Sequence, residues 1–231
     1  MKLKTIVKAA ALVGMALLAS GQTNRNWTTV VARTADGAHR IGNPEAKVRL
    51  VEFVSYTCPH CATFTREADD RIKLAYVTPG NVSLEVRHLI RDPVDLTAVM
   101  LANCGPVEKF PQNHSTFMLQ QAKWIAPMSS ATAAQRQRWT SGDGPTRRRA
   151  IASDFGFYSL MAGRGYTRAE LDRCLSDEAA ARRFAEQSQK DWDRPGIDAT
   201  PSFSINGLVM PGTHTWDTLE TQLSEFLRRP G

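Results

Sequence analysis

Where a strand should end and a helix begin, this chain places two cysteines one helical turn apart, and that junction limits what it can fold into. Val48 to Tyr56 reads VRLVEFVSY, dense in the β-branched and aromatic residues that suit a strand. Cys58-Pro59-His60-Cys61 follows, and Cys61, Phe64, Ala68, Ile72 and Ala75 then recur at spacings of three and four, which predicts a helix. Thr78-Pro79-Gly80-Asn81 ends it, and Val82, Leu84, Val86, His88 and Ile90 alternate as a second strand. A strand–helix–strand unit of about 45 residues is the size of a βαβ crossover. The expected fold class is α/β.

The chain is long enough to build more around that unit. Its 231 residues, 42% hydrophobic and 23% charged, describe a globular protein and exclude a disordered or collagen-like one. Four cysteines at this length exclude a small scaffold held mainly by disulfides. The first 21 residues read as a secretory signal peptide: a positive start through Lys8, an apolar core from Ala9 to Ala19, then small residues. A short buried helix or a membrane anchor is the alternative, but polar Gln22, Thr23, Asn24 and Arg25 follow at once. Gly21 stands where a lipoprotein would carry its lipidated cysteine, so an exported, soluble protein is expected. Lys2, Lys4 and Lys8 lie in the leader, and without them the net charge of +6 falls to +3, too little to argue for nucleic acid.

Trp27 to Val31 reads as a short strand and Gly37 to Pro44 as a turn-rich linker. From Asp95 to about Trp192 the pattern is helical with breaks; Thr167-Arg168-Ala169-Glu170 is a capping box that opens the helix carrying Cys174. Ser202 to Ile205, Asn206-Gly207 and Leu208 to Met210 form a hairpin on a two-residue turn, and Thr215 to Leu227 closes the chain as an amphipathic helix. The expected organisation is one domain in two halves, residues 27–93 and 193–231, with an all-helical insertion over residues 94–192.

At the head of a helix, Cys58 meets free backbone N–H groups and the positive end of the helix dipole, both of which stabilise a thiolate. Pro59 suits the first turn, where its missing N–H has no partner to lose. A protonated His60 adds positive charge beside the sulfur. Cys61, one turn on, can attack a mixed disulfide formed at Cys58. A Cys-x-x-Cys can also be half a zinc site, but no second Cys-x-x-Cys or His-x₃-His is present to complete it. Counted by twos, Glu52 shares the apolar face of Val48, Leu50, Val54 and Tyr56. It is a buried carboxylate with a raised pKa, able to relay a proton, or a satisfied strand acid, or, if the face is reversed, a surface residue. Pro201 after Thr200 reads as an edge marker or as part of the site, and His88 as a core histidine. Arg147-Arg148-Arg149 reads as a solvated helix face. Cys104 and Cys174 are expected to form a structural disulfide within the helical block, the alternative being two buried free thiols.

These motifs together, VEFVSYTCPHC at one end and GIDATPSFSING at the other, resemble the bacterial periplasmic DsbA-type thiol:disulfide oxidoreductases of the thioredoxin superfamily, over roughly Trp27 to Leu227. The resemblance implies a thioredoxin-like fold with an inserted helical domain. It also implies an exposed nucleophile at Cys58, a buried resolving thiol at Cys61 and a cis-proline at Pro201 packed against the disulfide. Thr200 would offer its backbone to the substrate chain, and Glu52 matches the family's buried acid. The function it implies is donation of the Cys58–Cys61 disulfide to exported proteins with free cysteine pairs. No metal or other cofactor is expected, and no nucleic acid. A monomer in the periplasm, reoxidised by a membrane-bound partner, completes the expectation. Thr200 stands where the best-known oxidases carry Val, and threonine there is also seen in disulfide isomerases. An isomerase or reductase on the same fold is therefore the nearest alternative, although no dimerisation module is evident. A metal-binding module using Cys58, His60 and Cys61 is a third reading.

Overall fold

A computed structural model describes residues 25–229; the expected signal segment lies outside the described residues. Six strands form one sheet: β1 (Val31–Arg33), β2 (His39–Gly42), β3 (Val48–Val54), β4 (Val82–His88), β5 (Ser202–Ile205) and β6 (Leu208–Val209). Their spatial order is β1-β2-β4-β3-β5-β6. Helix α1 (Pro59–Arg71), continued by a π-helical stretch Ile72–Val77, crosses from β3 to β4, which pair in parallel. Between β4 and β5 the chain is helical: α2 (Pro93–Ala102), α3 (Phe110–Leu119), α4 (Gln121–Trp124), α5 (Pro127–Ser130), α6 (Ala133–Thr140), α7 (Gly144–Asp154), α8 (Phe157–Ala162), α9 (Arg168–Ser176) and α10 (Glu178–Trp192). Helix α11 (Trp216–Arg228) follows the β5–β6 hairpin.

The period of two along β3 sorts its side chains between two layers. Val48, Leu50, Val54 and Tyr56 join the main core with Phe64 and Ala68 of α1 and Leu219 and Leu223 of α11. Val51 and Phe53 point the other way, against Leu89, Ile197 and Trp192. Each such apolar side chain contributes about 1.5–3 kcal/mol by leaving water. Glu52 lies opposite Val86 on β4 and Phe203 on β5, so the register carries a carboxyl into the middle of the sheet. On the far side, buried Arg87 of β4 pairs with Glu85 at 2.7 Å, with Asp191 of α10 at 3.2 Å and with Asp36, which docks α10 on the sheet.

Two expectations are corrected at the N-terminal edge. Trp27–Thr29 is a 3-10 turn rather than part of a strand, and the strand there is β1. The expected linker Gly37 to Pro44 contains β2, which pairs with β1 and β4. His39-Arg40-Ile41-Gly42 carries no apolar alternation, and the free edge of β4 supplies the pairing that local sequence does not announce. At Gly42, φ is +115°, and an added Cβ would stand 3.1 Å from the Val82 carbonyl, so glycine is required. The hairpin turn has Asn206 at φ 50° and Gly207 at φ 86°, the left-handed pair that a two-residue turn of this kind needs.

Cys104, just beyond α2, is bonded to Cys174 of α9, with Cα atoms 5.8 Å apart and a sequence separation of 70. A loop of that length confers up to about 4 kcal/mol in the chain-entropy account. Replacing both cysteines by alanine should lower the free energy of unfolding by about 2–4 kcal/mol in urea titrations. A loss well under that range would show that helix packing alone holds α2 to α9.

Candidate active site

β3 stops at Val54, and Ser55 to Thr57 bend the chain into α1, with Cys58 as the N-cap residue and Pro59 in the first turn. Cys58 is in extended backbone (φ −91°, ψ 117°) and its N–H donates to the Ser55 carbonyl at 3.2 Å. Both Cys58 and Cys61 are thiols in this structure. A hydrogen bond from the Cys61 thiol is the largest influence on the Cys58 sulfur; burial opposes it, and the Thr200 hydroxyl and the N–H groups of Cys61 and His60 add to it. Together they bring the Cys58 pKa down to about 5. Cys61 goes the other way. Burial raises it well above the ordinary thiol value, and the hydrogen bond to Cys58, the Cys58 charge and the Glu52 charge push in the same direction. One dithiol therefore holds a thiolate at the helix terminus and a proton one turn further in.

Cys58 is not the exposed thiol that the resemblance implies: it is 3% exposed. The loop ahead of β5 covers it, and when protonated the sulfur donates to the Thr200 carbonyl at 3.2 Å. Pro59 and His60 beside it are exposed. His60 serves the sulfur through its backbone N–H; among the described residues its ring makes no hydrogen bond to Cys58. The Thr200–Pro201 peptide bond is cis, and the Pro201 carbonyl accepts from His214 Nδ1 at 2.7 Å, a contact the sequence reading missed.

Glu52 is buried, and its carboxyl is raised to about 8, first by burial and then by the Asp69 charge, with Lys73 opposing. Lys73 itself pairs with Asp69 at 2.6 Å. Behind the site, His39, His88 and His114 are each lowered to about 3, chiefly by burial, and stay neutral. Their rings pack around Phe110 and Tyr56, and the Tyr56 hydroxyl is hydrogen-bonded to His114 Nδ1 at 3.0 Å. Arg148 is buried and bonded to Glu178 at 2.7 Å and to the Leu175 carbonyl, so the arginine run ties helices together as well as facing water. Among the described residues there is no group of three or more His, Cys, Asp and Glu placed to hold a metal ion, and no helix long and apolar enough to cross a membrane.

The bend before Cys58 has partners that sequence reasoning did not single out. Asp95 of α2 accepts from Ser55 Oγ at 2.5 Å and from the Tyr56 N–H at 2.9 Å. Asp92, the N-cap of α2, accepts from Thr57 Oγ1 at 2.7 Å. Gln121 Nε2 of α4 donates to the carbonyls of Tyr56 at 2.6 Å and Cys58 at 2.9 Å.

Glu52 generates a test. Its folded-state pKa of about 8 lies above the ordinary 4.5, so between those values the folded protein holds a proton that the unfolded chain releases. Stability from this group is present below 4.5 and is lost as pH rises towards 8. In that window Glu52→Gln should remove a fall of up to about 1.4 kcal/mol per pH unit, measured by urea unfolding across the range. Parallel curves for both proteins would show that Glu52 ionises normally.

Comparison with known proteins follows the same lines. A family model described as thioredoxin matches residues 34–225. The crystal structure of a protein-disulfide isomerase from Novosphingobium aromaticivorans is 48% identical, has a TM-score of 0.81, and covers 85% of this chain and 100% of its own. Wolbachia pipientis alpha-DsbA1, at 18% identity and TM-score 0.66, covers 82% of this chain and 90% of its own and shares the fold. A Rickettsia conorii protein provisionally named a protein-disulfide oxidoreductase is 27% identical over 199 residues, 86% of this chain. This chain spans 63% of that relative's length. The family match runs from the β1–β2 turn into α11 and takes in the Cys-x-x-Cys helix and the cis-proline loop: the chain belongs to the thioredoxin family.

Proposed function

We propose that the protein is a thiol:disulfide oxidoreductase that donates the Cys58–Cys61 disulfide to exported proteins with free cysteine pairs. The observation that carries this reading is the free Cys58–Cys61 pair at the head of α1, with Cys58 Sγ 3.2 Å from the Thr200 carbonyl ahead of the cis-proline. The two thiols are displaced in opposite directions, Cys58 down to about 5 and Cys61 well up. In the oxidised enzyme a substrate thiolate attacks Cys58 Sγ. The Cys58–Cys61 bond breaks, and Cys61 leaves and takes up a proton. The substrate's second thiolate then attacks its own sulfur in the mixed disulfide and expels Cys58 as a stable thiolate. The substrate is oxidised by two electrons and the enzyme is reduced. A membrane-bound oxidant that accepts those two electrons restores the disulfide.

A stable Cys58 thiolate stabilises the reduced enzyme, which favours oxidation of substrates over their reduction. Residues 1–21 support export to the periplasm, and the Cys104–Cys174 bridge suits an oxidising compartment. The protein acts as a monomer, with one Cys58–Cys61 pair per exchange. Isomerisation is the second reading, favoured by the name of the Novosphingobium relative and by Thr200 before the proline.

The redox equilibrium against glutathione tests the direction. A potential near −120 mV marks an oxidase, one near −180 mV an isomerase, and one near −270 mV a reductase, all to about 30 mV. Cys58→Ser should abolish oxidation of a reduced model protein, and Cys61→Ser should accumulate mixed disulfides on non-reducing gels. Full activity in the Cys58→Ser protein would remove the assignment.

A further inference from the structure

Each of the four residues that turn β3 into α1 is held from the inserted helices. Ser55 and Tyr56 are bonded to Asp95, Tyr56 also to His114 and Gln121, Thr57 to Asp92, and Cys58 to Gln121. Asp95 is 0% exposed and Gln121 4%, so these bonds form away from competing water.

We propose that Asp95 and Gln121 are positioning residues for the Cys58 thiolate, through which the helical insertion sets the ionisation of a sulfur it does not touch. The route is short. Gln121 fixes the Cys58 carbonyl, which also accepts the first helical bond of α1, from the Ala62 N–H at 3.3 Å. That turn aims the N–H groups of His60 and Cys61 at the Cys58 sulfur. Asp95 fixes Ser55, whose carbonyl takes the Cys58 N–H at 3.2 Å and whose own N–H faces the Cys61 sulfur. A looser bend would leave these donors less well aimed, and the thiolate would lose part of what compensates its burial. His114 and Asp92 complete the grip but reach only the Tyr56 hydroxyl and the Thr57 side chain, one step further from sulfur.

The inference deepens the redox reading of the same site, so its test separates the two. Gln121→Met keeps length and volume and removes both donated bonds; Asp95→Asn keeps shape, removes one acceptor oxygen and removes the carboxyl charge. Losing that charge alone would move the Cys58 midpoint down, so an upward shift reports the bend. Leu171→Ala, a core truncation in α9 of the same helical block, is the control for general loosening. For each protein the thiolate absorbance of Cys58 is followed against pH, beside thermal unfolding and the glutathione equilibrium. The expected result is a midpoint about one unit higher in Gln121→Met and Asp95→Asn, an approximately tenfold loss of thiolate stability. The glutathione equilibrium constant should move correspondingly, while Leu171→Ala melts earlier with its midpoint unmoved. An unchanged midpoint in both folded variants overturns the proposal, as does an equal shift in Leu171→Ala. Failure of both variants to fold also counts against it, because a positioning role leaves the fold standing. A wild-type protein that does not exchange with glutathione would instead refute the redox function, with the thiolate titration still deciding the role of the two residues.

Discussion

The site depends on the hydrogen bond that the Cys61 thiol gives the Cys58 sulfur, reinforced by the N–H groups at the start of α1, which have no backbone carbonyl to meet. Burial alone would raise both thiols together, because water leaves each of them and neither carries a fixed counter-charge. The first turn of the helix breaks that symmetry. Cys58, at the cap, receives first the Cys61 thiol proton, then the Thr200 hydroxyl and the N–H groups of Cys61 and His60, and these outweigh its loss of water. Cys61 has its burial reinforced by the neighbouring thiolate and by Glu52. Two residues of spacing thus separate a nucleophile from a proton store.

The surroundings keep that local balance in control. Glu52 holds its proton to about pH 8, so little negative charge faces the dithiol from the centre of the sheet near neutral pH. The three histidines behind Tyr56 are neutral, each near 3, and so contribute no cationic field that would stabilise a thiolate from a distance. A buried environment in which Glu52 and the histidines are uncharged, and Asp95 is raised to about 7 by burial, amplifies short-range hydrogen bonds, because little water competes for them. This is why the aim of a few donors matters more here than net charge.

Much of this was legible in the sequence, for definable reasons. The alternation in VRLVEFV fixed which residues of β3 face the main core, and it placed Glu52 among them before any contact was known. The Thr167–Glu170 capping box and the Asn206-Gly207 turn are local chemistry and are found where the pattern puts them. The short edge strand β2 was not legible, because its pairing comes from β4, more than 40 residues on, and its own four residues lack alternation. Asp95 and Gln121 were silent for a related reason: an acid and an amide on ordinary helices acquire meaning only when the chain brings them 39 and 63 residues back to Tyr56 and Cys58. The contact of Cys58 with Thr200 was hidden too, since 142 residues of chain separate them. His60 contributes a backbone N–H to the Cys58 sulfur that its letter does not advertise.

The anchoring of α2 bears on what the bend requires. Fixing the backbone of a residue costs about 1–2 kcal/mol, and the residues between β3 and α1 make few backbone bonds of their own. Holding them takes acceptors and donors mounted on something already rigid. Helix α2 is such a mount: its N-terminal turn carries Asp92 and Asp95 at the bend, and just past its other end Cys104 is bonded to α9. A helix anchored at both ends loses little further entropy when its side chains grip a neighbouring loop, so more of each hydrogen bond is left to order the loop. The insertion thus supplies the stiffness that a short strand-to-helix bend cannot generate from its own sequence.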